Sequence, residues 1–275
     1  MIESGEAFDF RLLYRLILDF KKDRLYQDVL FPLEDEVRSK ISALSAFRRA
    51  DGPAIEEDIL REGLWSLYAL SRINDYLLLP FQSDERGGWQ GPAISRDQYL
   101  DFFTAAGFTP FVSDSFSPFR HEIVKVHPSE FEDEPIRVVT TLWPGLMFGE
   151  MLFSRSGVAV SGGISRVDRW VAEGSTLYFT HRRLHRRTDD LSKGWGSNSQ
   201  WRTAFRRDYE YKDKWLYHSN GKSLLARNTK ADGDQDGLTA EERIELCKNR
   251  CFIVTRKDDV DLWPYDDRYE EPITP

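Results

Sequence analysis

Cysteine is nearly absent. Cys247 and Cys251 are the two in 275 residues, too few for a disulfide-stapled scaffold. Long apolar runs are missing too: the longest, such as Tyr76 to Phe81, are far too short to span a bilayer. The opening residues, Met-Ile-Glu-Ser-Gly-Glu, lack the basic region and apolar core of a signal peptide. Together these absences lead us to expect a cytoplasmic, soluble protein with no membrane partner.

Catalytic signatures are equally scarce. Gly-x-Ser-x-Gly does not occur, and neither Gly194-Trp-Gly-Ser nor Ser161-Gly-Gly fits it. Gly87, Gly88 and Gly91 surround Trp89, but their spacing is not that of a dinucleotide or Walker loop. No spacing of Asp and Glu singles out an acid/base pair. Whether the chain is an enzyme is left open, leaning to no, and no cofactor is expected.

Aromatic residues are plentiful. Eight Trp, eleven Tyr and eighteen Phe argue for a packed core and against disorder. The net charge is −8, and it is unevenly spread. Ser175 to Lys214 holds ten Lys/Arg against five Asp/Glu, whereas Asp232 to Glu271 holds thirteen Asp/Glu against six Lys/Arg. Two outcomes follow: the zones pair with each other in the fold, or one faces an oppositely charged partner.

Hydrophobic periodicity predicts helices over Ala7 to Lys22, Leu33 to Arg49 and Ala54 to Leu79. The third has a stripe of Ile59, Leu64, Leu67, Leu70 and Ile73. Ser95 to Gln98 is a capping-box pattern opening a short helix that Gly107 closes. After a turn-rich stretch from Phe108 to Phe119 the character changes. Arg120 to His127, Ile136 to Leu142, Met147 to Phe153 and Gly157 to Ser161 read as strands. Arg166 to Ala172 reads as a helix, with Leu177 to Arg187 extending or following it. Gln200 to Tyr211 reads as a strand whose hairpin partner is Trp215 to His218. Leu238 to Arg250 reads as a helix and Cys251 to Thr255 as a strand. The expected class is α+β, a mainly helical N-terminal half followed by an antiparallel or mixed sheet with flanking helices. The division is a helical subdomain (1–107) and an α+β subdomain (120–275), or one continuous domain.

Metal-ligand patterns are present but imperfect. His121 and His127 share a strand face about 20 Å apart by strand rise, too far for one ion. His181 and His185, with Cys247 and Cys251, have i, i+4 spacing, but the surrounding Arg182, Arg183, Arg186 and Arg187 disfavour a dication. Asp232, Asp234, Asp236 and Gly237 match an EF-hand loop until its twelfth position, which is Arg243 rather than Glu. The preferred reading is an Asp/Gly turn followed by a helix capped by Thr239. No metal is expected.

Two constellations remain as binding candidates. Ser192 to Tyr211 mixes guanidinium, aromatic and small polar groups. Arg202, Arg206, Arg207, Asn198, Trp195 and Trp201 could hold an anion such as a phosphorylated small molecule, with Asp208, His181 and His185 nearby in sequence. The acidic tail offers Asp258, Asp259, Asp261, Trp263, Tyr265, Asp266, Asp267 and Tyr269, with Glu270 and Glu271, as a surface to cover a basic protein partner. Nucleic acid is the weakest partner class for a chain of pI near 5.3. The preferred expectation is a protein-binding module of the toxin-neutralising (immunity) kind, and the alternative is an enzyme or sensor for a phosphorylated ligand.

Overall fold

The computed structural model describes residues 8–82, 89–175, 205–225, 237–257 and 266–273. The chain is α+β: helices occupy its first hundred residues and two sheets with interspersed helices follow.

The helices begin and end where their residues dictate. Helix α1 (Phe10–Asp19) is capped by Asp9, whose carboxylate accepts the Leu12 amide at 2.8 Å. Helix α2 (Glu34–Ser42) opens on three acidic residues at the positive end of its dipole. A 3-10 turn (Ser45–Arg48) follows it, where the sequence suggests one continuous helix. Helix α3 (Glu57–Leu77) is the longest among the described residues and is buried over its second half. Ile59, assigned above to its apolar stripe, is exposed, whereas Leu60 beside it packs against the core. Helix α4 (Arg96–Ala105) carries the expected reciprocal capping box between Ser95 and Gln98. No helix among the described residues is long and apolar enough to cross a membrane.

The larger sheet has seven strands in the order β1-β4-β5-β7-β8-β10-β9, and the smaller three in the order β2-β6-β3. These are β1 (Thr109–Phe111), β2 (His121–Pro128), β3 (Arg137–Trp143), β4 (Gly145–Phe148), β5 (Met151–Ser154), β6 (Ser156–Gly162), β7 (Asp208–Tyr211), β8 (Lys214–Tyr217), β9 (Ser223–Leu224) and β10 (Asp267–Pro272). The two sheets are linked by two one-residue joints. Chain leaves β3 for β4 through Pro144, and β5 for β6 through Arg155. At this joint the Trp143 indole donates to the Arg155 carbonyl at 3.0 Å and Ser156 Oγ donates to the Trp143 carbonyl at 2.8 Å.

Several expected elements change on folding. Met147 to Phe153 is not one strand. Gly149 takes φ +65°, and with Glu150 it turns the chain so that Phe148 pairs with Met151. A strand over Cys251 to Thr255 does not form. The Ile253, Val254 and Thr255 amides donate instead to the Glu245 carboxylate at 2.6, 2.7 and 3.3 Å, which removes them from any ladder. Thr109–Phe111, read as irregular, pairs with β4, and Asp267–Pro272 pairs with β8. Helix α5 (Arg169–Gly174) starts three residues later than expected because Asp168 caps it through the Trp170 amide. Leu177 to Arg187 lies outside the described residues. Helix α6 (Ala240–Asn249) has its reciprocal box between Thr239 and Glu242, and β7 and β8 form the expected hairpin, though β7 starts at Asp208 and Phe205 to Arg207 are not strand.

The main core crosses the 108–119 stretch. Phe103 and Phe108 pack on Phe153 with ring centroids 6.0 and 4.5 Å away, so α4 and β5 bury a common surface. Each such ring contributes about 1.5–3 kcal/mol by leaving water. A polar bridge runs through the same contact: Tyr99 donates to Asn74 Oδ1 at 2.7 Å, and Asn74 Nδ2 to Ser154 Oγ at 3.0 Å.

Candidate functional site

Among the described residues, a buried group of ionisable side chains lies where β7 meets the end of α6. Asp208 is fully buried. Its Oδ1 accepts Arg206 Nε at 2.9 Å and the His218 amide at 2.6 Å. Its Oδ2 accepts Arg250 Nη2 at 3.0 Å, and Arg155 Nη2 stands 3.8 Å away. All three arginines are buried.

One carboxylate does not balance three guanidinium groups; the buried Asp75 adds negative charge toward Arg250, and the end of α6 supplies further acceptors. The last carbonyls of a helix have no intrahelical donor and carry its negative pole. Arg206 Nη2 donates to the Cys247 carbonyl, and Arg155 Nη2 to that of Lys248 at 2.5 Å. Arg250 itself takes the left-handed cap position, φ +63°, which glycine usually fills. A bulky residue pays roughly 1 kcal/mol or more for that backbone, and here it brings the guanidinium onto Asp208. The centre is thus a helix C-cap built of arginine.

Its electrostatics follow from the geometry. Burial would raise the Asp208 carboxyl, but the charges of Arg206, Arg250 and Arg155 and the His218 amide outweigh it and hold the group well below the usual range. Burial and the neighbouring Arg250 charge pull Arg155 down to about 9. His218 sits at φ +54°, its Nδ1 2.7 Å from the Asp267 carbonyl. That carbonyl can only accept, so Nδ1 carries the proton. Burial and then Arg206 push His218 down to about 4, so the ring is neutral at pH 7. Burial pushes the Cys247 thiol up to about 11, which leaves it a poor nucleophile.

Of the residues expected to bind an anion, Arg206 and Arg207 lie among the described residues and differ in exposure. Arg206 is 2% exposed and committed to Asp208 and Cys247. Arg207 is partly exposed, its amide donating to Asn220 Oδ1 at 3.2 Å. Arg202, Asn198, Trp195 and Trp201 lie outside the described residues, as do His181 and His185. Of the acidic tail, Asp258, Asp259, Asp261, Trp263 and Tyr265 also lie outside them. Asp266 is exposed, with Lys222 3.7 Å away. Asp267 and Tyr269 turn inward on β10: Asp267 takes Arg243 at 3.0 Å, and Tyr269 packs on Tyr217. They belong to the interior rather than to a solvent-facing patch. Glu270 pairs with Lys214 at 3.2 Å, so at this sheet edge the basic and acidic zones do meet.

The ionic centre itself was not apparent from the sequence. Arg155 carries the one legible signal, a lone charge inside the apolar run Met151 to Val160. Among the described residues no group of three or more His, Cys, Asp or Glu could hold a metal ion. Cys247 and Cys251 fall in different core clusters. A shallow open hollow of about 600 Å³ lies at the end of α1, lined by Leu16, Asp19, Phe20, Lys22, Asp28 and Val29.

No protein-family model, no curated protein and no solved structure matches the chain.

Proposed function

We propose that the protein is a binding module that occludes a basic protein partner, in the manner of a toxin-neutralising (immunity-type) protein. The observation that carries this reading is the fate of Arg206. The arginine at the centre of the basic island is folded inward and neutralised by Asp208 and the end of α6. A phosphate held there would have to break that network and leave Asp208 facing the remaining guanidinium groups. With Arg206 internal, the net charge of −8 favours a cationic partner through long-range attraction.

The test has two arms. Melting temperature is measured with inorganic phosphate, ADP and glucose 6-phosphate, and the full chain is used to capture partners at low and then high salt. A stoichiometric basic protein released by salt, with no thermal shift from the phosphates, is the expected result. A phosphate-dependent rise in melting temperature that Arg207→Ala abolishes, with no protein partner, would overturn the reading.

A further inference from the structure

The turn between β2 and β3 displays an exposed aromatic side chain, Phe131, flanked along the chain by acidic residues. Strands β2 and β6 run parallel and β3 returns antiparallel to β6. The end of β2, the start of β3 and the residues after β6 therefore meet at one end of the small sheet. There Ser129-Glu-Phe-Glu-Asp-Glu-Pro135 packs on Gly163-Ile-Ser165. Phe131 is 73% exposed and Ile164 55%. Glu130, Glu132 and Asp133 are exposed around them.

This tip is held rigidly. Gly163 N donates to the Glu134 carbonyl and Ser165 N to the Glu132 carbonyl, each at 3.0 Å. Ser165 Oγ lies 2.7 Å from both the Glu132 carbonyl and Asp133 Oδ1. Phe131 N donates to Ser129 Oγ at 3.1 Å, and the Phe131 carbonyl accepts Glu134 N at 3.2 Å. Gly163 permits the approach, since a Cβ there would stand 2.1 Å from the Glu132 carbonyl oxygen. Phe131 thus stands exposed on a hydrogen-bonded backbone, where a covering surface would bury its apolar area. A pre-ordered aromatic anchor loses little entropy on binding.

Resting on the binding-module reading, we propose that Phe131 and Ile164 are the apolar centre of the partner interface. The occupant is a basic protein that offers an apolar socket flanked by Lys or Arg. The charge of the rim selects it. Glu130, Glu132, Asp133 and Glu134 outnumber the neighbouring cations, Arg137, which is 3.6 Å from Glu134, and the exposed Arg166. A second copy of the chain would bring like charges together.

The test places a photo-crosslinking phenylalanine at position 131, or at position 266 as a control, in the full chain within its own cells. The crosslinked protein is identified, purified and titrated against three forms: the unmodified chain, Phe131→Ala, and the combined Glu130→Gln, Glu132→Gln and Asp133→Asn variant. The expected result is a basic protein crosslinked at 131. Phe131→Ala should weaken its binding at least about tenfold, as a hot-spot aromatic does, with an unchanged melting temperature. The neutralised rim should slow association and flatten its salt dependence. Crosslinking at 266 alone would overturn this surface and leave the occlusion reading standing. Self-crosslinking, or full affinity in Phe131→Ala, would also overturn it. Absence of any crosslink together with a phosphate-dependent thermal shift would remove both.

Discussion

Arg206 and Asp208 sit two residues apart at the entry to β7, joined Nε to Oδ1 at 2.9 Å, with both side chains buried. Two charges so placed stabilise a fold only while their complement is whole, because removing one leaves the other buried and uncompensated. Asp208→Asn would leave Arg155, Arg206 and Arg250 facing one another across a neutral amide. The expected loss is about 3–5 kcal/mol, read as a lower denaturant midpoint. Arg250→Ala should cost less, since it keeps Arg206 and Arg155 beside Asp208; the left-handed backbone strain remains, because alanine retains the Cβ.

His218 gives the centre a pH signature. Its folded pKa, about 4, lies below the ordinary 6.5. As pH falls through 6.5 the unfolded chain takes up a proton that the folded chain refuses, so stability is lost between about pH 6.5 and 4, by on the order of 3 kcal/mol in all. Asp208 acts lower. Its folded value is depressed, so its contribution is present above the ordinary carboxylate range and is lost as pH falls below about 4. His218→Asn suits φ +54°, since asparagine tolerates that region, and its amide can still donate toward Asp267. Denaturation at a series of pH values should show the upper slope reduced in this variant and the lower one retained.

Glu245 organises the chain after α6 as a single anchor. One oxygen accepts three successive amides, Ile253 to Thr255, and the other accepts Thr255 Oγ1 at 2.5 Å. Charge-assisted bonds of this kind contribute about 1.5–3 kcal/mol. Glu245→Ala should cost about 3 kcal/mol and sharply speed hydrogen exchange of those three amides, while the buried α3 amides exchange at rates set by the global loss alone. Equal protection of residues 253–255 in the variant would refute the anchoring role.

What the sequence disclosed followed the range of the interactions. Helices α1, α3, α4 and α6 were legible because period and caps are local, as with Ser95 and Gln98 or Thr239 and Glu242. The β7–β8 hairpin was legible for the same reason. The division at Gly149 was hidden in an apolar run, since only the backbone dihedral shows it. Cys251 to Thr255 has strand composition, yet its amides are taken by a carboxylate on the preceding helix. The ionic centre draws on residues 155, 206, 208 and 250, and no local pattern joins them. Phe131 was not singled out in the sequence; the exposure of its side chain and the contacts of its turn with Gly163 to Ser165 bring it forward.

The joint between the two sheets is packed too tightly for one more methyl group. Gly157 on β6 lies opposite Trp143 on β3, and a Cβ there would fall 2.2 Å from indole Cε2. The indole cannot easily yield, because it is buried and its Nε1 is tied to the Arg155 carbonyl. Gly157→Ala should therefore destabilise the protein by about 1–3 kcal/mol through overpacking, with a changed near-ultraviolet circular dichroism of Trp143. Trp143→Leu alone should also destabilise, by creating a cavity. Combined, the two changes should cost less than their sum, since the smaller side chain makes room for the methyl group. Strict additivity in the denaturation midpoints would show that the strain of Gly157→Ala is relieved elsewhere than at the indole.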